Sequence, residues 1–141
     1  MLMLRKLLIK HEGIRYKAYR DTVGKLTIGV GRNLDDVGLS NIEAMLLLTN
    51  DIDRVCKEAI GAFPWFNSLN PARQDVFLEM LFNLGLTKFQ GFVRMIDAAR
   101  FGQYDRAADE MINSKWATQV GIRAAELAYM MRYGLYDSRE M

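Results

Sequence analysis

A chain of 141 residues, half of them hydrophobic, is long enough to bury the core of one domain, and its single cysteine, Cys56, excludes an intrachain disulfide framework. The net charge of +2 hides an uneven spread: residues 1–33 carry eight Lys/Arg against two carboxylates, residues 34–87 three against eight, and residues 88–141 eight against seven. The basic amino end suits either a solvated helix face or attraction to a polyanion, but zinc-finger spacing, an RNA-recognition signature and a basic heptad helix are all missing, which argues against a nucleic-acid partner.

In chain order, the apolar residues of positions 1–10 are interrupted by Arg5, Lys6 and Lys10, leaving no run suited to a signal peptide or a membrane span. The expectation is a soluble protein without a stable membrane anchor. Leu4, Leu7 and Leu8, with Met3 and Ile9, recur at helical spacing, and Gly13 supplies a stop just after Glu12. Tyr16, Ala18, Leu26, Ile28 and Val30 alternate with period two around the turn chemistry of Asp21, Thr22 and Gly24, which predicts a β-hairpin. Ser40 and Glu43 have capping-box spacing, and Ile42, Met45, Leu48, Ile52, Val55 and Ala59 form one stripe of a long helix over about 40–60. Cys56 falls on an apolar face of that helix, where a thiol behaves as a small buried hydrophobe.

Asn70 before Pro71 reads as an N-cap with proline in the first turn, and Val76, Phe77, Met80, Leu81 and Leu84 supply a buried side that ends at Gly85. Further helices are predicted over Phe89–Arg100, Tyr104–Asn113 and Ile122–Tyr133, separated by Gly102, the Ser114–Trp116 stretch and Gly121. Trp65, Trp116 and the nine methionines are assigned to core packing. The chain therefore reads as one α+β, mostly α domain over 1–141. Its small β-containing lobe covers about 13–39, a connecting helix about 40–60 and a helical lobe about 61–141, with helix 1–12 packed against the last.

Two carboxyl groups stand out chemically. Glu12 sits where a helix ends, facing the negative end of its dipole, an environment that disfavours ionisation and suits a general acid. Asp21, nine positions on in a turn, can stay solvated and ionised, and Thr27 on the returning strand has a hydroxyl able to hold a water near it. Each residue alone has an ordinary structural reading, since aspartates commonly form hairpin turns. His11 precedes Glu12 but points elsewhere on a helix, and one histidine with one cysteine makes no metal cluster.

The segment His11-Glu12-Gly13, Tyr19-Arg20-Asp21-Thr22 and Leu26-Thr27-Ile28-Gly29-Val30-Gly31 resembles the amino-terminal signature of phage-type lysozymes, glycoside hydrolase family 24. Phe82-Asn83-Leu84-Gly85, Ser114-Lys115-Trp116, Arg123 and Arg132-Tyr133-Gly134 resemble its later landmarks, so the likeness spans most of the chain. The resemblance implies a lysozyme-like fold with an active-site cleft between its lobes, and a lysozyme activity (N-acetylmuramidase, EC 3.2.1.17) that cleaves the β-1,4 bond between N-acetylmuramic acid and N-acetylglucosamine. It implies Glu12 as general acid, Asp21 and Thr27 directing water with inversion, and Gly31, Phe82, Asn83 and Gly85 as substrate contacts. Arg123 is implied to support Glu12 by pairing with it, and no metal or cofactor is implied.

Two departures from the family pattern are visible: Arg32 stands where many relatives have histidine, and the span Asn33–Leu39 is short, which predicts the loss of a strand or small helix. The expected role is that of a monomeric phage or prophage endolysin acting on peptidoglycan glycan strands, made in the host cytoplasm and let through to the periplasm or wall by another factor. A noncatalytic wall-binding protein, a lytic transglycosylase and a membrane-disrupting protein are the competing readings.

Overall fold

The computed structural model describes residues 1–137, which divide into two compact units on either side of a boundary at Leu48 and Thr49. In the first unit, α1 (Leu2–Glu12) ends as predicted where Gly13 takes φ 75° and donates its N–H to the Ile9 carbonyl at 2.8 Å. Only glycine adopts such a φ without steric cost, so the chain leaves the helix directly after Glu12. Three strands follow, β1 (Arg15–Arg20), β2 (Leu26–Gly29) and β3 (Arg32–Asn33), in an antiparallel sheet of order β1-β2-β3. Tyr19 pairs with Thr27 and Arg20 with Leu26, an irregularity separates that register from Arg15 opposite Gly29, and Thr27 faces Asn33 on the other side.

The hairpin is present, but β3 was not predicted. Two residues are too few for alternation to register, and the strand exists because the following loop folds back on the sheet. Leu34 donates to the Leu26 carbonyl at 2.7 Å, the Asp35 carboxylate accepts the Leu26 N–H at 2.8 Å, and the Asn33 carbonyl accepts from both Val37 and Gly38. Of the Asn33–Leu39 span, Asn33 belongs to β3 and the rest folds back on the sheet.

Helix α2 (Asn41–Ala62) begins with the predicted capping box, in which the Ser40 hydroxyl accepts from Glu43 N at 3.1 Å and the Glu43 carboxylate accepts from Ser40 N at 2.9 Å. The boundary between the units falls within this helix. Of its predicted stripe, Val55 and Ala59 are buried while Ile42, Met45, Leu48 and Ile52 are exposed, and Cys56 is half-buried rather than enclosed.

The second unit holds a 3-10 turn at Phe66–Ser68 and helices α3 (Pro71–Leu84), α4 (Leu86–Gln90), α5 (Val93–Arg100), α6 (Tyr104–Ile112), α7 (Lys115–Val120) and α8 (Ile122–Tyr133). Its core centres on Phe77, which meets Phe63, Trp65 and Phe89 edge-on at ring separations of 5.5, 5.6 and 5.2 Å. Met80, Met95, Met111 and Met131 are enclosed around this cluster, the filler role predicted for methionine, whereas Met1, Met3 and Met45 are exposed. Asn70 caps α3 by accepting from Arg73 N at 3.1 Å, with Pro71 in the first turn.

The single predicted helix Phe89–Arg100 is two helices. Gly91, costly in a helix interior, and Phe92 at ψ 55° separate α4 from α5. Conversely, the Ser114–Trp116 stretch read as a separator starts α7, because the Ser114 hydroxyl accepts from Ala117 N at 3.2 Å and serves as an N-cap. Among the described residues no helix is long and apolar enough to cross a membrane.

Candidate active site

Glu12 is the last residue of α1, and its exposed side chain lies against the turn between β2 and β3. A Cβ placed on Gly31 would come 2.8 Å from Glu12 Oε2, 3.1 Å from its Cδ and 3.3 Å from its Cγ. Gly31 also has φ 65°, so both the backbone and the neighbouring carboxylate require the missing side chain. The resemblance assigned Gly31 to substrate. The structure gives it a direct relation to Glu12, which spacing could not reveal because the contact spans a helix end and a strand turn.

Asp21 both builds the hairpin and leaves a group free. Its Oδ1 accepts from Val23 N at 3.0 Å and Lys25 N at 2.8 Å, and its own N–H donates to the Lys25 carbonyl at 2.9 Å. This is the turn-forming role of an aspartate, and it holds the carboxylate in one orientation. Oδ2 has no hydrogen-bond partner among the described residues. Thr27, buried to 3% exposure, donates its hydroxyl hydrogen to the same Lys25 carbonyl at 2.9 Å. One backbone oxygen therefore ties Asp21 and Thr27 together. Because that oxygen belongs to the main chain, no residue type announced it.

Arg32, the departure from the family pattern, clamps the sheet to the start of α2. Its guanidinium donates to Glu43 Oε1 at 2.9 Å and to the Gly38 carbonyl at 3.0 Å, and lies 2.7 Å from Glu43 Oε2. This two-pronged pairing, joined by the Ser40 N–H and hydroxyl, holds the Glu43 carboxyl at about 2. A histidine could not span both oxygens in the same plane.

The remaining predicted residues lie in the helical unit. Phe82 is 46% exposed, so it is available for contact rather than committed to the core. Asn83 is also exposed, and its Oδ1 accepts from Trp116 Nε1 at 2.9 Å, which orients the amide so that its NH2 group is the outward donor. Trp116 is buried as predicted, whereas Trp65 is only half-buried. Gly85 ends α3 at φ 80°. Arg123 donates from Nε to Glu79 Oε1 on α3 at 2.7 Å. Among the described residues no three His, Cys, Asp or Glu side chains gather as metal ligands.

A mostly helical chain with a small three-stranded antiparallel sheet, its first helix ending on a glutamate at the sheet's turn, has the lysozyme-like fold of cell-wall hydrolases. More particularly, the chain belongs to the phage lysozyme family, whose model matches residues 9–138. It is also similar to a SAR-endolysin of Escherichia phage Mu, 30% identical over 149 residues that cover 98% of this chain and 84% of that protein. The general activity is that of a peptidoglycan-lytic, lysozyme-like enzyme of the endolysin kind.

Proposed function

We propose that the chain is a muramidase that hydrolyses the β-1,4 bond between N-acetylmuramic acid and N-acetylglucosamine, inverting the anomeric carbon. The observation that carries this reading is the shared Lys25 carbonyl beneath Asp21 and Thr27. Thr27 spends its only hydroxyl hydrogen on that oxygen, so toward solvent it can only accept. A water that donates to Thr27 Oγ1 and to Asp21 Oδ2 has both hydrogens engaged and its lone pairs free for the sugar. Asp21 then takes the proton as the water attacks, while Glu12 delivers its own to the departing glycosidic oxygen.

Gly31, Phe82, Asn83 and Gly85 are assigned to the sugars, with the Asn83 NH2 suited to an acetamido carbonyl, and Arg123 to a supporting role through its ion pair. The protein works as a monomer on wall glycan, as an endolysin does during host lysis, and needs no cofactor. A water-directing pair favours hydrolysis over lytic transglycosylation, in which a sugar hydroxyl attacks and no water is used.

A digest of intact walls tests the reading directly. The products should carry reducing muramic ends, inverted at first release, and anhydro-muramic ends would replace hydrolysis by transglycosylation. Glu12→Gln should fold normally and lose about 10²–10⁴-fold in rate, the usual contribution of a general acid. A rate close to wild type in that variant removes Glu12 from the chemistry.

A further inference from the structure

The helical unit has a groove of about 620 Å³ between the Phe63–Trp65 turn and the end of α5. Its size lies in the range of small-molecule sites, about 300–1,000 Å³. Pro64, Trp65 and Phe101 supply apolar faces, and Asp97 and Arg100 stand on the rim. Phe101 is 69% exposed. Arg100 lies with its guanidinium carbon 5.2 Å from the centre of that ring.

Among the described residues, the charged groups on this rim are not joined to carboxylate or guanidinium partners, unlike several others in the same unit. Arg54, Lys57, Arg123 and Arg132 all hold carboxylates. Asp97 and Arg100 are three apart on one helix, a spacing that permits an ion pair, yet neither side chain makes one among the described residues. The indole N–H of Trp65 has no acceptor there either. Since no buried side-chain nitrogen or oxygen among the described residues lacks a partner, that N–H reaches solvent while the ring rests on Phe63 and Phe77.

Aromatic faces flanked by a free carboxylate, a free guanidinium and an indole donor match one ligand chemistry well. A pyranose ring has an apolar C–H face to lie on an aromatic ring and an equatorial rim of hydroxyl and acetamido groups that need both acceptors and donors. An apolar peptide would leave the charged pair unanswered, and a simple anion would be repelled by Asp97. We propose that this groove, which none of Glu12, Asp21 and Thr27 lines, is a second binding site for a β-1,4-linked N-acetylhexosamine strand. The inference rests on wall glycan being the substrate. A polymeric substrate allows one chain to be held at two places, which raises the local concentration of cleavable bonds without changing the chemistry.

The test uses the full chain carrying Glu12→Gln, titrated with a tetramer of β-1,4-linked N-acetylglucosamine and followed by NMR. The Trp65 indole resonance should shift saturably, and adding Arg100→Ala with Phe101→Ala, both exposed positions, should weaken that response about tenfold, or ~1.4 kcal/mol. Shifts at Thr27 and Gly31 should persist. With Glu12 intact, the double variant should cleave soluble glycan strands at the wild-type rate and solubilise insoluble walls about three- to tenfold more slowly. A Trp65 resonance unmoved at ligand saturation, or a response the double variant leaves unchanged, overturns the proposal. If wild-type protein releases no sugar ends from walls but Trp65 still titrates, the muramidase reading fails and the groove stands.

Discussion

Under the proposed mechanism Asp21 divides its two carboxylate oxygens between structure and chemistry. With Oδ1 held by two backbone N–H groups, the rotation of the carboxylate is fixed, which is the preorganisation that the proposed attacking water would need. Thr27 follows the same logic, and its hydroxyl can be tested by exchange. Thr27→Val removes the acceptor while keeping the shape and should cost about 10²-fold in rate, whereas Thr27→Ser should retain most of it. Equal rates for the two variants in a wall-clearing assay would show that the hydroxyl does not hold the water. At Gly31 the expected cost has a different origin. Gly31→Ala places a methyl 2.8 Å from Glu12 Oε2 and forces a side chain into φ 65°, so the carboxylate must swing away. The variant should lose activity by about 10-fold or more with about 1 kcal/mol of stability, read by initial rates and thermal melting. Residue types and their order already pointed to Glu12, Asp21 and Thr27. The Lys25 carbonyl and the Gly31 contact did not show, because a main-chain oxygen and a missing side chain have no compositional signal.

At the level of elements, the capping box at Ser40 and Glu43 was legible from spacing, while its union with Arg32 was not. Arg32 reaches Glu43 from eleven residues away, and only the fold of the Asn33–Leu39 loop brings them together. The pairing has a defined pH dependence. Glu43 titrates at about 2 in the folded chain against an ordinary 4.5, so the folded state holds this proton less tightly than the unfolded one. Its stabilising effect is therefore full above about 4.5 and disappears as the pH falls toward about 2. Glu43→Gln should melt below wild type at neutral pH, the gap should close as the pH falls through that window, and salt should narrow it because the pair is exposed. A gap that persists unchanged at the acid end would assign the loss to the capping geometry alone. The α4–α5 break and α7 illustrate the same limit: a glycine and a serine marked both places, but which would break a helix and which would start one depended on the neighbouring turns.

For the molecule as a whole, burial is concentrated in the second unit. Among residues 1–48 only Thr27 is buried, whereas the helical unit encloses Phe77 and its aromatic and methionine neighbours. Phe77→Ala should cost about 3–5 kcal/mol, measured by denaturant unfolding. Native-state hydrogen exchange should find the most protected amides in α3 and α8 and faster exchange in β1. Protection as strong in β1 as in α3 would contradict that distribution of stability. What the sequence alone determined was the mostly helical α+β class and the main caps and stops, and it supplied the three side chains of the proposed mechanism, because periodicity, capping chemistry and motif order are local properties of the chain. The tertiary structure decided the third strand, the Arg32 clamp, Glu79 as the partner of Arg123, and the Gly31 cradle beneath Glu12. Each of these depends on atoms brought together across turns and helices, and side-chain spacing along a chain carries no direct measure of that distance.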